Sequence, residues 1–145
     1  MGFILFLIAF VSTSILTVIY LPVNIIYYIF TFKWKTGSKK LNKYFYQMAL
    51  SIDQFANVSL QTPLNFLMIN EISFKYGEHH KFGDEDDTIS YCLAMNKKYN
   101  SLTKFGKFWA WFLNKVDKNH LQKALDNKRK LDIEACKRIS KIYLN

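Results

Sequence analysis

Cysteine, proline and glycine are all scarce in this chain, at two, two and five residues of 145. Cys92 and Cys136 are too few for a disulfide framework, and neither lies near a second Cys or a His pair at zinc spacing, so two reduced, buried thiols are expected. With Pro63 the only proline beyond Pro22, and no repeat or low-complexity tract, nothing divides residues 38–145 into separate pieces. At this length, one small domain is the ceiling. The most informative absence is charge: from Gly2 to Phe32 there is none.

Within that stretch Phe3 to Leu21 reads FILFLIAFVSTSILTVIYL, interrupted only by Ser12, Thr13, Ser14 and Thr17. About 20 apolar residues at 1.5 Å each cross a hydrocarbon core of about 30 Å. The hydroxyls can bond the carbonyl four residues back, so they cost little in lipid. A cleaved signal peptide would need a basic n-region, a shorter apolar run and a small-residue cleavage site, and these are missing. A hairpin of two spans turning at Pro22 to Asn24 would need 34 or so residues at about 17 each, more than the uncharged stretch supplies. A single span is expected, with Pro22 kinking or breaking the helix near the membrane exit.

After Pro22 the sequence VNIIYYIFTFKWK has an interfacial character. Tyr27, Tyr28 and Trp34 carry rings that collect at headgroup level, and Lys33 and Lys35 can snorkel from the same zone. Lys39, Lys40 and Lys43 follow, and no basic residue precedes the run. This bias sets the C-terminal side in the cytoplasm and the N-terminus outside. The expected organisation is a membrane helix with interfacial segment over 1–35 and a basic cytoplasmic domain over 36–145.

The domain reads as all-α, a compact bundle of four to five helices. Ser38 can cap a helix whose apolar stripe runs through Leu41, Tyr44, Phe45, Met48, Ile52 and Phe55, with Asp53, Gln54 and Asn57 off it. Thr62 and Pro63 form a helix start, with residues 64–74 as one very apolar helix, buried or lying on the bilayer. Residues 75–87 are a charged, glycine-containing loop. Asp86 or Asp87 can cap the helix beginning TISYCLAMNKK, Ser101 can open another, and a turn near Asp117 leads into the last.

Net charge is +9, and all of it lies in the last third: residues 1–96 carry seven charges of each sign, residues 97–145 thirteen basic and four acidic. A basic half is most often a solvated face, and it also suits anionic lipid or nucleic acid. Lys104, Lys107, Trp111 and Lys115 can form an amphipathic helix lying on lipid or a stacking surface for nucleic acid, with membrane lipid the simpler partner beside an anchor. Trp109 and Phe112 are expected in the core and only Trp111 at an interface.

Chemistry has fewer footholds. The cluster Glu78, His79, His80 and Asp84 to Asp87 has metal-site residue types without ordered ligand spacing, and neither a metal nor another cofactor is expected. Asp117 and His120, three residues apart, can face one another as an acid and base pair, with Ser90 or Cys92 supplying a nucleophile from elsewhere. No nucleophile-elbow motif accompanies them, and Cys92 among apolar neighbours fits an inert thiol.

Three segments together resemble a family of small proteins of bacteriophages and prophages: YFYQMALSIDQFANV (44–58), KFGDEDDTISYCLAMNKK (81–98) and WFLNKVDKNHLQKAL (111–125). The family pattern reads DQ-x-x-N, FGNPDETIS, a KN pair, then D-x-x-H. By that pattern Asp53, Gln54, Asn57, Asp86, Asp87, Thr88, Ile89, Ser90, Asn96, Lys97, Asp117, Asn119 and His120 are the family's polar positions. This chain departs from it with Glu85 for Pro, Asp87 for Glu and Leu121 for Cys. The resemblance implies a phage setting and a bacterial host, and little more. The leading expectation is therefore a non-enzymatic accessory protein at the bacterial inner membrane, binding a host or phage partner or copies of itself. A hydrolase or nuclease using Asp86, Asp87, Asp117 and His120, and a nucleic-acid-binding module, are the alternatives.

Overall fold

A computed structural model describes residues 2–31 and 34–143, and among these the chain is all-α. It forms two compact units, Met1–Ala49 and Leu50–Asn145. The division falls within the helix that starts at Trp34.

In the first unit, α1 (Gly2–Thr31) is the one helix among the described residues long and apolar enough to cross a membrane. It continues through Pro22 instead of breaking there. A proline removes one backbone donor, and the apolar residues on either side keep the helical pattern going. Ser14 Oγ donates to the Phe10 carbonyl at 2.7 Å, the back-bond expected of a hydroxyl in lipid. Tyr27 is exposed and Tyr28 half-buried, packed 6.1 Å from the ring of Tyr44. Lys33 and the side chains of Trp34 and Lys35 lie outside the described residues.

α2 (Trp34–Ser59) begins before Ser38, which therefore sits inside the helix rather than capping it. In the second unit this helix turns its polar side inward. Asn57 is fully buried while Ile52 and Phe55 are exposed, the reverse of the expected apolar stripe.

The segment from 61 to 76, read as one helix from 64 to 74, is two: α3 (Gln61–Met68) and α4 (Glu71–Tyr76). The break has a cause. Ile69 pairs with Leu102 in an isolated antiparallel bridge, the Asn70 amide donates to the Ser101 carbonyl, and the Thr103 amide to the Met68 carbonyl. Asn70 then caps α4 by accepting from the Ser73 amide.

α5 (Ile89–Lys98), α6 (Lys104–Val116) and α7 (His120–Tyr143) complete the unit, with α5 packed on α6 and α7, and α6 on α3. Thr88, not Asp86 or Asp87, caps α5, and Thr103, not Ser101, caps α6. Ser101 is buried instead, bonded to Asn96. Asp117 ends α6 at the expected turn, and Asn119, in left-handed backbone at φ 61°, leads the chain into α7. Gly106 lets α6 lie against the bridge, since a Cβ there would be 2.7 Å from the Met68 carbonyl.

The core is small, with Phe82, Cys92, Leu93, Leu102, Ala110 and Leu121 at its centre. Leu131 and Ile139 are exposed on α7, and so is Cys136, expected to be buried.

Candidate functional site

The loop expected between residues 75 and 87 is irregular and polar, yet its backbone groups are satisfied by three asparagine side chains. Asn65 accepts from the Phe82 amide and donates to the Phe82 carbonyl, both at 2.9 Å. Asn96 does the same for His80, at 2.9 and 2.7 Å. Asn57 donates to the carbonyls of Asp84 and Asp87 and accepts from the Gly83 amide. Each amide stands in for the edge of a neighbouring strand, which a loop against helices does not otherwise have. The loop is thereby fixed, with Phe82 inserted in the core.

The fixed loop carries one histidine–carboxylate pair, His80 with Asp87, and a second, His120 with Asp117, lies between α6 and α7. In the first, the buried Asp87 carboxylate lies 2.7 Å from His80 Nε2 and 2.8 Å from Lys128 Nζ, which reaches in from α7. Burial opposes the Lys128 charge, but the hydrogen bond and the charge of Asp87 outweigh it and hold the ammonium above its ordinary pKa. Burial, and then the charge of Asp87, raise the Tyr91 phenol beside it.

Cys92 offers its sulfur at 3.8 Å to Asn57 Oδ1 and to the Lys81 carbonyl. Burial first, and then Asp87, push its pKa far up, so it stays a thiol, as its apolar neighbours suggest. His80, Asp87 and Cys92 present three donor atoms within 4.8 Å of one another. The Lys128 ammonium, 2.8 Å from the shared carboxylate, opposes a cation there.

The second pair is the one expected from spacing. His120 Nδ1 lies 3.1 Å from Asp117 Oδ2, and Lys123, then His120, hold the Asp117 carboxyl below its ordinary pKa. His120 Nε2 lies 3.0 Å from Ser90 Oγ, and Ser90 Oγ lies 2.9 Å from Asp53 Oδ2. The chain Asp53, Ser90, His120, Asp117 thus ties α2, α5 and the start of α7 together.

Two proton arrangements fit this chain. If Ser90 donates to a neutral His120, the order is nucleophile, base and orienting carboxylate. If Ser90 donates to Asp53, the hydroxyl proton is not offered to His120, whose Nε2 then faces the Ser90 oxygen. The second is favoured by charge. Asp53 puts a carboxylate beside the oxygen on which attack would build negative charge, and the Ser90 amide, 3.4 Å away, is turned to that same carboxylate instead of to an oxyanion. Ser90 is also 8% exposed.

The four acidic and histidine positions expected to form one pocket are therefore split. Asp117 and His120 pair, Asp87 belongs to His80 and Lys128, and Asp86 is exposed, contributing its carbonyl to Gln54 and Lys128. Ser90 and Asp53 join the pair from α5 and α2. The role of Lys128 had no distinct signal among the many lysines of the last third. An open cleft of about 450 Å³ lies nearby, lined by Lys97, Asn114, Asn119 and Leu125 among others.

On α6, Lys104, Lys107 and Lys115 are exposed, and Lys115 Nζ stands 4.9 Å over the Trp111 ring. Trp109, expected in the core, is half-buried and packs against it, and Phe112 is exposed with Phe105, Phe108 and Val116.

Among the described residues, the fold and the two paired sites define an all-α chain with one helix of membrane length and a polar-stitched helical head. No known protein family, curated protein or solved structure matches it.

Proposed function

We propose that this chain is a membrane-anchored accessory protein that works by binding rather than by catalysis. In this reading α1 crosses the inner membrane of a bacterium once, with the N-terminus outside and the head, Leu50–Asn145, on the cytoplasmic face. The uncharged run and the lysines that follow it support the orientation. The carrying observation for the head is the contact of Asp53 with Ser90, which makes the Ser90 and His120 chain a brace between helices. The bacteriophage setting rests on the sequence resemblance, and the partner is a host or phage protein, a second copy, or lipid. Membrane extraction tests the anchor: the full chain should stay in the pellet after alkaline carbonate, with reporter fusions active outside at the N-terminus and inside at the C-terminus. Release by carbonate, or the opposite reporter pattern, overturns it.

A second reading, a hydrolase with Ser90 as nucleophile, His120 as base and Asp117 as its orienting group, is favoured by the 3.0 and 3.1 Å spacings. Covalent labelling of the full chain by a fluorophosphonate, lost in Ser90→Ala, would establish it. An unlabelled wild-type chain would end it. Nucleic-acid binding by the basic last third would weaken steeply with salt, and binding insensitive to salt would remove that reading.

A further inference from the structure

We infer that the exposed face of α6 is a second membrane contact, a docking surface for an anionic bilayer. Phe105, Phe108, Phe112 and Val116 follow one another at steps of three and four residues, so they form a single ridge. All four are exposed, Val116 by 70%. The opposite side of the helix, through Gly106 and Ala110, is buried. The helix is thus apolar on both sides, and the core accounts for only one of them.

Trp111, Lys104 and Lys115 border the ridge, with the Lys115 ammonium over the indole ring. Aromatic rings at headgroup depth beside lysines that reach lipid phosphates are the chemistry of an interfacial helix. The surface continues beyond α6. Thr103 Oγ1, at its N-cap, donates to the Leu67 carbonyl, and Leu67 and Phe66 are exposed there, Phe66 by 82%. An apolar ridge edged by Lys104, Lys107 and Lys115, with no acidic residue from Lys104 to Val116, matches a negatively charged lipid surface. A neutral or basic protein face would meet those lysines with no compensating charge. The inference rests on α1 as an anchor, which holds the head at high effective concentration beside the bilayer.

The test uses the full chain reconstituted in vesicles of phosphatidylglycerol and phosphatidylethanolamine. Trp34→Phe and Trp109→Phe leave Trp111 as the only tryptophan, and the second replacement removes an indole N–H that has no partner among the described residues. Circular dichroism checks that the variant is folded. Brominated acyl chains should quench Trp111 and its emission should be blue-shifted. Lys104→Glu, Lys107→Glu and Lys115→Glu together, or vesicles of phosphatidylcholine alone, should abolish the quenching.

If Trp111 is quenched by aqueous iodide and not by brominated lipid while the chain resists carbonate extraction, the docking inference falls and the anchor stands. Protection from both quenchers would mean a protein covers the face, and would equally overturn it. Loss of the chain on carbonate extraction would instead sink the anchor on which the inference rests.

Discussion

Asn65 holds Phe82 by both ends of its backbone, accepting from the amide and donating to the carbonyl at 2.9 Å each. A side-chain amide carries an acceptor oxygen and a donor nitrogen side by side, so it can satisfy a backbone donor and acceptor together without a neighbouring strand. The loop that carries His80 and Asp87 is rigid because Asn57, Asn65 and Asn96 repeat the device.

Replacing Asn65 with Ala should destabilise the head by about 2 to 4 kcal/mol, since it orphans a donor and an acceptor at about 1 to 3 kcal/mol each, partly relieved by water. Asn65→Asp, which keeps the acceptor and loses the donor, should fall between. Thermal melts followed by circular dichroism of the full chain in detergent measure both. Equal melting of Asn65→Ala and wild type would mean the loop is not held this way.

The two thiols should behave oppositely. Cys136 is exposed on α7 and should react with a maleimide within the dead time of native labelling. Cys92 is buried and its pKa is raised by burial and by Asp87, so neither access nor thiolate is available at neutral pH. Mass spectrometry should find one label on the native chain and two after denaturation. Labelling of Cys92 in the native state would contradict the packing around Asn57.

The Asp87 and Lys128 pair sets an alkaline limit on stability. The Lys128 pKa is raised above its ordinary value of 10.5, so the folded state binds the proton more tightly than the unfolded state. Its stabilisation is then complete below pH 10.5 and is lost as pH rises through the raised value. Lys128→Met removes that loss and also leaves Asp87 short of a partner, at a cost of about 3 kcal/mol at neutral pH. Melts from neutral pH upward should show wild type declining above pH 10.5 and the variant already low with a flatter profile. Parallel profiles would mean the pair carries no pH dependence.

Much of this fold is legible in the sequence, and what escapes it has a common origin. The uncharged run fixes α1, and the periodicity of residues 102–116 and 120–142 gives α6 and α7. The Asp117 and His120 spacing finds a real pair. The failures occur where polar groups are bought inside by other polar groups. Hydrophobic periodicity assigns Asn57 to solvent because nothing local shows that an irregular loop 27 residues later will need its amide. The same blindness places Asp86 and Asp87 as caps and misses Lys128, 41 residues beyond Asp87. Local signals also run through Ile69, where only the distant Leu102 breaks the helix.

That break makes Gly106 a sharp test of the architecture. In an exposed helix Gly→Ala would stabilise, by up to about 1 kcal/mol, because alanine is the better helix former. Here the added methyl would meet the Met68 carbonyl at 2.7 Å and Leu102 Cδ2 at 3.0 Å. The carbonyl is pinned by the Thr103 amide, so it cannot retreat without opening the bridge. Gly106→Ala should therefore lower stability by about 1 to 3 kcal/mol, the usual cost of overpacking, with hydrogen exchange at the Thr103 amide accelerated more than at amides of α7. A stabilised variant would mean that α6 does not approach the α3–α4 break so closely, and that the helix formed by residues 104–116 is free to sit elsewhere on the head.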